Sequence, residues 1–353
     1  MKKIKVFFTN METVDPREYY PTKLLLDNFN VKIVRKKEDA DLIMGNILRH
    51  HHGDYLDQSK KNIIISGENL FSRRNLISLI DSFLHRKMGD KKFKIMNFLN
   101  KIVPKFITNI PLTYYLSGYV KIFRKIGGGG LKNTYFIISN NVNAKNTVIV
   151  PFFLTDNYPK LKKLTAKKKY KCRKKFCAFI VSSNSSRDRI DFFRKLSRYK
   201  KVDSYGKVMN NMGLFNRSWD KEKNSNDKFS KVGWKENPEI FKKYKFVICF
   251  ENSFTDEYIT EKLPNVMFSG AIPIYKGAPN VGKYFNTKSF INFDDYDCSY
   301  NKMIKEVIRL DNDDEAYKKL AQEPWYKNNK FPLLIKEKEK ELIKFYRRII
   351  NEI

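Results

Sequence analysis

The sequence predicts an α/β protein of two doubly wound domains facing each other across a cleft. Two observations predict it: short apolar runs of strand length alternate with helical periodicity, and this alternation occurs twice, over 1–158 and 176–330, on either side of a basic stretch. Short buried strands joined by crossovers form parallel sheets, and two successive sets of them give two such domains. With 353 residues, 42% hydrophobic and 14% aromatic, the chain can bury both cores.

In the first half, strands are expected at Ile4–Phe8, Val31–Val34, Ala40–Gly45 and Asn62–Ser66, with a helical stretch at Thr22–Asn28. Residues 70–131 read differently: helical apolar spacing mixed with many basic residues and interrupted by Pro104 and Pro111 predicts a basic helical insert. The run Gly127–Gly130 is a flexible break, after which Thr134–Ser139 and Thr147–Phe153 return to the first sheet. Ten of the seventeen residues 159–175 are basic with little periodicity, which marks a linker.

The pattern then resumes with strand Phe176–Val181, helix Arg187–Tyr199, a strand near Val202, a helix near Pro238–Tyr244, strand Phe246–Phe250, helix Glu261–Ser269 and strand Ile272–Tyr275. The final segment, 331–353, carries apolar residues such as Leu334, Leu342, Phe345 and Ile349 among lysines, the pattern of a basic amphipathic helix. Such a helix can pack back on the first domain or lie on an anionic membrane surface.

Lys and Arg total 70 against 38 Asp and Glu, a net charge of +32. The excess attracts anions at long range, although a lysine-rich composition produces the same charge as ordinary solvated surface. No zinc-finger spacing, RNP-like strand or basic region with heptads is present, so no nucleic-acid partner is expected. The four cysteines (Cys172, Cys177, Cys249, Cys298) have no CxxC spacing and are too few to staple a chain of this length. That usage fits a reducing compartment. The short apolar run after the basic start is not a signal peptide, and about 18 uncharged apolar residues never run together. A cytoplasmic location, with peripheral contact on an inner membrane face, is expected.

The chemistry concentrates after Phe246, in FVICFENSFTDEYITEKLPNVMFSGAIPIYKGAP. A buried strand ends at Phe250 and polar residues follow, before a helix that starts near Thr260, and in open α/β sheets that edge binds ligands. Thr260 is a suitable helix cap, and a helix N-terminus favours phosphate. Glu261 can accept from sugar hydroxyls and Lys262 can neutralise a diphosphate, the pairing a nucleotide-sugar site requires. The same two residues also suit an ordinary helix start, with glutamate near the dipole and an exposed lysine.

The word order FENS…DEYITEK followed by GAIPIYKG closely resembles the donor-binding signature of the α1,3/4-fucosyltransferases. The likeness is densest over Tyr244–Phe293. A second match, FCAFIVSSNSSRDRIDFFRKLSRYKKVDSYGKVMNNMG, resembles the strand, donor loop and arginine-bearing helix of that family, with Arg189 at the arginine position. A third, ADLIMGN with IIISGEN, resembles the first-domain strands bordering the acceptor side and places Glu68 where the family has its proposed general base. The likeness covers about two-thirds of the chain. The insert at 70–131 departs from the pattern, so the resemblance does not extend to how the acceptor is recognised.

The resemblance implies a GT-B fold with Rossmann-like domains and an inverting transfer from GDP-fucose to an acceptor oligosaccharide, giving an α-fucoside on a hydroxyl such as the 3-OH of GlcNAc or Glc. It implies Glu68 as general base, Arg189 and Lys262 on the diphosphate, Asn252 and Tyr258 at the fucose and phosphate region, and Glu261 on donor sugar hydroxyls. Asn184, in the loop after Val181, is a weaker donor-side candidate. His51 and His52 follow the ADLIMGN strand and are acceptor-side candidates; consecutive histidines point in different directions and rarely form a tetrahedral metal set. No DxD-like pair follows a strand in the donor half, so phosphate charge falls to Arg189 and Lys262 and no divalent metal is expected. Two alternatives remain open at the level of sequence: a GT-B transferase using another GDP-sugar, and a basic adaptor binding a polyanion or membrane surface.

Overall fold

The computed structural model describes residues 3–9, 11, 15–46, 57, 59–66, 133–138, 146–165, 170–181, 187–212, 237–252, 254 and 256–353. Two wholly parallel sheets form. The first has β1 (Ile4–Thr9), β2 (Val31–Ile33), β3 (Leu42–Asn46), β4 (Lys61–Ser66), β5 (Thr134–Ile138) and β6 (Thr147–Ile149) in the order β2-β1-β3-β4-β5-β6. The second has β7 (Lys175–Phe179), β8 (Val202–Ser204), β9 (Tyr244–Phe250), β10 (Ile272–Lys276) and β11 (Ile291–Asn292) in the order β11-β10-β9-β7-β8. Strands such as β5, β9 and β10 are buried almost throughout, which is why they read as continuous apolar runs without alternation.

Each sheet has a point where the strand order reverses. In the second, the chain goes from β7 to β8 on one side, then returns to β9 on the other and continues to β10 and β11. The carboxyl ends of β7 and β9 therefore flank a crevice, where open α/β sheets take ligands.

The described helices are α1 (Tyr20–Asn28), α2 (Phe152–Leu161), α3 (Arg187–Ser197), α4 (Asn237–Phe241), α5 (Lys262–Ser269), α6 (Tyr300–Asn312), α7 (Asp314–Gln322) and α8 (Leu333–Asn351). Ser299 caps α6 through the Lys302 N–H, and Asp313 caps α7 through the Ala316 N–H. Helix α5 stops at Gly270, whose φ of 73° is left-handed. A Cβ there would also lie 2.9 Å from the Arg173 guanidinium, which holds the Ser269 carbonyl at 2.7 Å and those of Phe241 and Lys242.

Two segments differ from expectation. The strand predicted at Thr147–Phe153 ends at Ile149, and Phe152–Leu161 is helical despite Pro159. Pro151 occupies the helix N-cap, where its missing N–H costs nothing. The stretch 159–175 therefore begins in helix and continues through a 3-10 turn at Lys162–Thr165 before β7. The insert at 70–131 and the glycine run lie outside the described residues.

Helix α8 crosses back onto the first domain. Its buried face of Ile335, Leu342, Phe345, Tyr346 and Ile349 packs there, with Phe345 edge-on to Tyr135 of β5 and Tyr346 edge-on to Phe29. The Tyr346 hydroxyl donates to the Pro21 carbonyl at 2.9 Å, and Tyr20 and Tyr158 both donate to Glu339. The apolar half of the helix is thus occupied, and Lys336, Lys340 and Lys344 stand exposed on its outer face. Among the described residues, no helix is long and apolar enough to cross a membrane.

The two domains share packing. One continuous core joins the first sheet, α2, α5, the segment after β10 and α8, while a second core lies between the other face of the second sheet and α3, α6 and α7. At the junction the Phe153 N–H donates to the Ile259 carbonyl at 3.1 Å, and the Phe153 ring meets Tyr284 and Phe285. The chain leaving the carboxyl end of β6 therefore rests on the loop that follows β9.

Candidate active site

Strand β9 is followed directly by two polar residues that each hold a cation. Asn252 accepts from the Arg189 guanidinium at 2.8 Å, and Arg189 sits in the first turn of α3, the helix after β7. Glu251, its side chain wholly buried, accepts from the Lys262 ammonium at 3.1 Å. One carboxylate oxygen of Glu251 also accepts the Thr260 N–H at 2.8 Å and the other the Thr260 hydroxyl at 2.7 Å. The reversal point of the second sheet is thereby lined by a guanidinium from the β7 side and an ammonium from the β9 side.

Sequence reasoning placed Thr260 as the cap of α5. Its hydroxyl oxygen accepts the Lys262 N–H at 3.4 Å, the bond expected of a cap, although the helix is counted from Lys262 with Glu261, which makes no side-chain cap bond, at the position before it. The Thr260 hydroxyl proton goes to Glu251, so Thr260 and Glu251 also close the loop 251–260 at its base. Glu251 can reach them because Gly277 stands opposite; a Cβ on Gly277 would lie 2.2 Å from the Tyr275 hydroxyl and 2.6 Å from the Glu251 Cγ.

Lys262 also contacts the Thr260 hydroxyl at 2.9 Å, and the buried Glu261 carboxylate lies 3.9 Å away. Burial is the largest influence on its pKa and lowers it, but Glu251, Glu261 and Tyr258 together outweigh burial and hold the ammonium above the ordinary lysine value. Lys262 is therefore a cation at any physiological pH. Its side chain keeps 21% of its exposure, enough to meet a ligand from the crevice.

Of the residues singled out in the sequence, Arg189 meets Asn252 and Lys262 meets Glu261, while Tyr258 is buried in the same loop. Glu68, Asn184, His51 and His52 lie outside the described residues. Strand β4, whose end precedes Glu68 by two residues, pairs with β3 and β5 in the middle of the first sheet.

Sequence reasoning gave no role to Glu251, Glu257 or Lys276. Lys276 ends β10 with its ammonium paired to Asp188, the neighbour of Arg189 on α3, and to the Tyr300 hydroxyl at 3.2 Å, beneath the rings of Phe293 and Tyr300. The sequence signal was the lysine itself, closing an otherwise apolar strand at the ligand-binding edge. Cys249, between Ile248 and Phe250 in β9, is a buried core thiol, with its pKa pushed up by burial and then by Glu251.

Two parallel-sheet domains in contact, with basic side chains gathered at the carboxyl edge of the second, have the architecture of the GT-B fold. The sequence pattern of glycosyltransferase family 10 (fucosyltransferase), C-terminal part, matches residues 170–347, half of the chain. The chain belongs to that family. An alpha-(1,3)-fucosyltransferase of Helicobacter pylori is 24% identical over 282 residues, 79% of this chain and 50% of that protein. Human GDP-fucose protein O-fucosyltransferase 3 is 31% identical over 131 residues, 37% of this chain and 26% of that one. A crystal structure of an alpha1,3-fucosyltransferase superposes with a TM-score of 0.62 at 18% identity, over 99% of this chain and 90% of that one. The same fold is seen in one described with GDP-fucose, with a TM-score of 0.59. The chain spans half or less of the length of the curated relatives it matches.

Proposed function

We propose that this chain is an inverting fucosyltransferase that moves L-fucose from GDP-β-L-fucose to a hydroxyl of an acceptor glycan, giving an α-fucoside. The observation that carries the reading is the pair of cations at the end of β9, Arg189 on Asn252 and Lys262 on Glu251. A departing GDP gains negative charge on its diphosphate, and fixed cations in a partly dry crevice stabilise that charge without reorganising. A guanidinium can hold two phosphate oxygens at once, while the ammonium acts as a point charge.

In this reading the acceptor hydroxyl attacks the anomeric carbon as the C–O bond to the diphosphate breaks, and Glu68 takes the hydroxyl proton. Its assignment rests on the resemblance of IIISGEN to the family's first-domain strand. By the same resemblance Tyr258 lies at the fucose and phosphate region and Glu261 contacts donor sugar hydroxyls. With two cations on the leaving group, a divalent metal is not required.

The test is transfer and donor hydrolysis with GDP-fucose, GDP-mannose and UDP-galactose, using a lactosamine-type acceptor in EDTA. Turnover of GDP-fucose alone, undiminished by EDTA, is the expected result. Preference for GDP-mannose would replace the sugar in this reading, and loss of turnover in EDTA would overturn metal independence.

A further inference from the structure

The loop joining β9 to α5 is held in a conformation that its sequence resists. Glu257 has φ 65°, in the left-handed region that disfavours a residue with a Cβ. Backbone of this kind persists only where the surroundings over-determine it. At Glu257 they do. Its N–H donates to the Asn280 Oδ1 at 2.9 Å, and the Asn280 Nδ2 donates back to its Oε1 at 2.9 Å. The Tyr284 hydroxyl donates to its Oε2, and the Lys283 ammonium lies 3.7 Å from its Oε1. Burial first, and then the adjacent Glu257 charge, push the Tyr284 phenol up, so it stays protonated and donating.

All of these partners come from one segment, 280–284, which follows β10. The side chain of Glu257 is 10% exposed, so it is not presented to a ligand. Its neighbours in sequence are the residues of the candidate site: Tyr258 directly after it, and Glu261 and Lys262 at the start of α5. The Ile259 N–H closes back on the Glu257 carbonyl at 2.9 Å, and the Ile259 carbonyl receives the first domain through Phe153. The clasp thus fixes the one turn that both carries the donor-side residues and meets the other domain.

We propose that Glu257 is a positioning residue for the donor: clasped by Asn280 and Tyr284, it holds the strained turn that presents Tyr258, Glu261 and Lys262 to the nucleotide. The proposal rests on the donor reading given above. It separates side chain from backbone, because glycine relieves the left-handed φ while discarding the carboxylate.

The experiment measures GDP affinity by calorimetry, donor KM and kcat, and Tm on the full chain, for wild type, Glu257→Ala, Glu257→Gly, Asn280→Ala and the Glu257→Ala/Asn280→Ala pair. Each single substitution should raise the GDP Kd and the donor KM about tenfold, with the acceptor KM unchanged, since small misplacement of positioning groups is costly. The pair should lose clearly less than the sum of its two singles, because both act on one clasp, with only the Glu257 N–H bond to Asn280 left to Glu257→Ala. A merely destabilised enzyme would instead lose kcat through its folded fraction and keep its donor KM. Wild-type GDP affinity in folded Glu257→Ala, full affinity in Glu257→Gly, or additive losses in the pair would each overturn the clasp. Should the Glu257 variants fail to fold, Asn280→Ala decides alone, with unchanged GDP affinity again overturning it. Failure of wild type to bind GDP would sink the donor reading itself and the clasp with it, whereas wild-type binding with unaffected variants sinks only the clasp.

Discussion

At the scale of single residues, the site is two cations on two neighbouring polar side chains, and each carries a distinct expectation. Arg189→Ala removes a charged hydrogen-bond donor from the end of β9 and should weaken GDP binding by about ten- to a hundredfold. Lys262→Ala should do the same. Glu68→Ala should abolish transfer and leave GDP affinity nearly unchanged, since a base acts on the acceptor; near-normal turnover would remove Glu68 from the mechanism. The Lys262 ammonium is held above its unfolded value, near 10.4 for lysine. The stability gained from its partners is therefore complete below that pH and is lost only as pH rises through the folded value. GDP affinity measured from pH 6 to 9 should show no step from Lys262, and a step that vanishes in Lys262→Ala would contradict this electrostatic account. Glu251→Ala should cost more than either cation variant in stability, because it leaves the Thr260 N–H and hydroxyl without their buried acceptor and takes the nearer of two carboxylates from Lys262. Chemical denaturation measures that difference.

At the scale of elements, the fold fastens the chain between β9 and α5 at several described points. Loop 251–260 is closed at its base by Glu251 and Thr260, and the following turn is fastened to the segment after β10. Gly277 allows the first of these closures, so Gly277→Ala should destabilise the domain and reduce GDP affinity together. Helix α8 belongs to the same argument. It is a packing element of the first domain, so truncation near Lys330 should unfold the protein or lower its Tm steeply. Tyr346→Ala alone should cost about 3–5 kcal/mol, as other large buried rings do. Replacement of the exposed Lys336, Lys340 and Lys344 by glutamine should leave Tm unchanged. A stable truncated protein that had lost only affinity for anionic vesicles would reverse this assignment and give the helix to a membrane.

At the scale of the whole molecule, the sequence was legible wherever local pattern and tertiary role agree. Strands β4, β5, β9 and β10 are buried on both faces and read directly as apolar runs, and parallel pairing follows from the crossovers between them. Helix α2 was hidden because its apolar start, Phe152 and Phe153, reads as a continuation of the preceding strand, and the basic residues from 159 on read as linker; Pro151 in fact sits at the N-cap and Pro159 is tolerated near the end. Arg189 and Asn252 are 63 residues apart, and only the family resemblance put them in one site. Glu251 and Glu257 were legible only as members of the polar cluster after Phe250, because a buried carboxylate and a loop glutamate look alike until their partners are placed. The net charge of +32 is the other global feature, and salt separates its two meanings. Between 50 and 200 mM NaCl, GDP affinity set by two cations should fall by less than about tenfold, whereas a polyanion bound through many lysines would lose about 10³–10⁵. The most direct test of the central claim is calorimetric titration of GDP into wild type, Arg189→Ala and Lys262→Ala in EDTA. Binding by wild type that weakens at least about tenfold in each folded variant is the result predicted; equal affinity in all three would show that the cations at the end of β9 do not hold the donor.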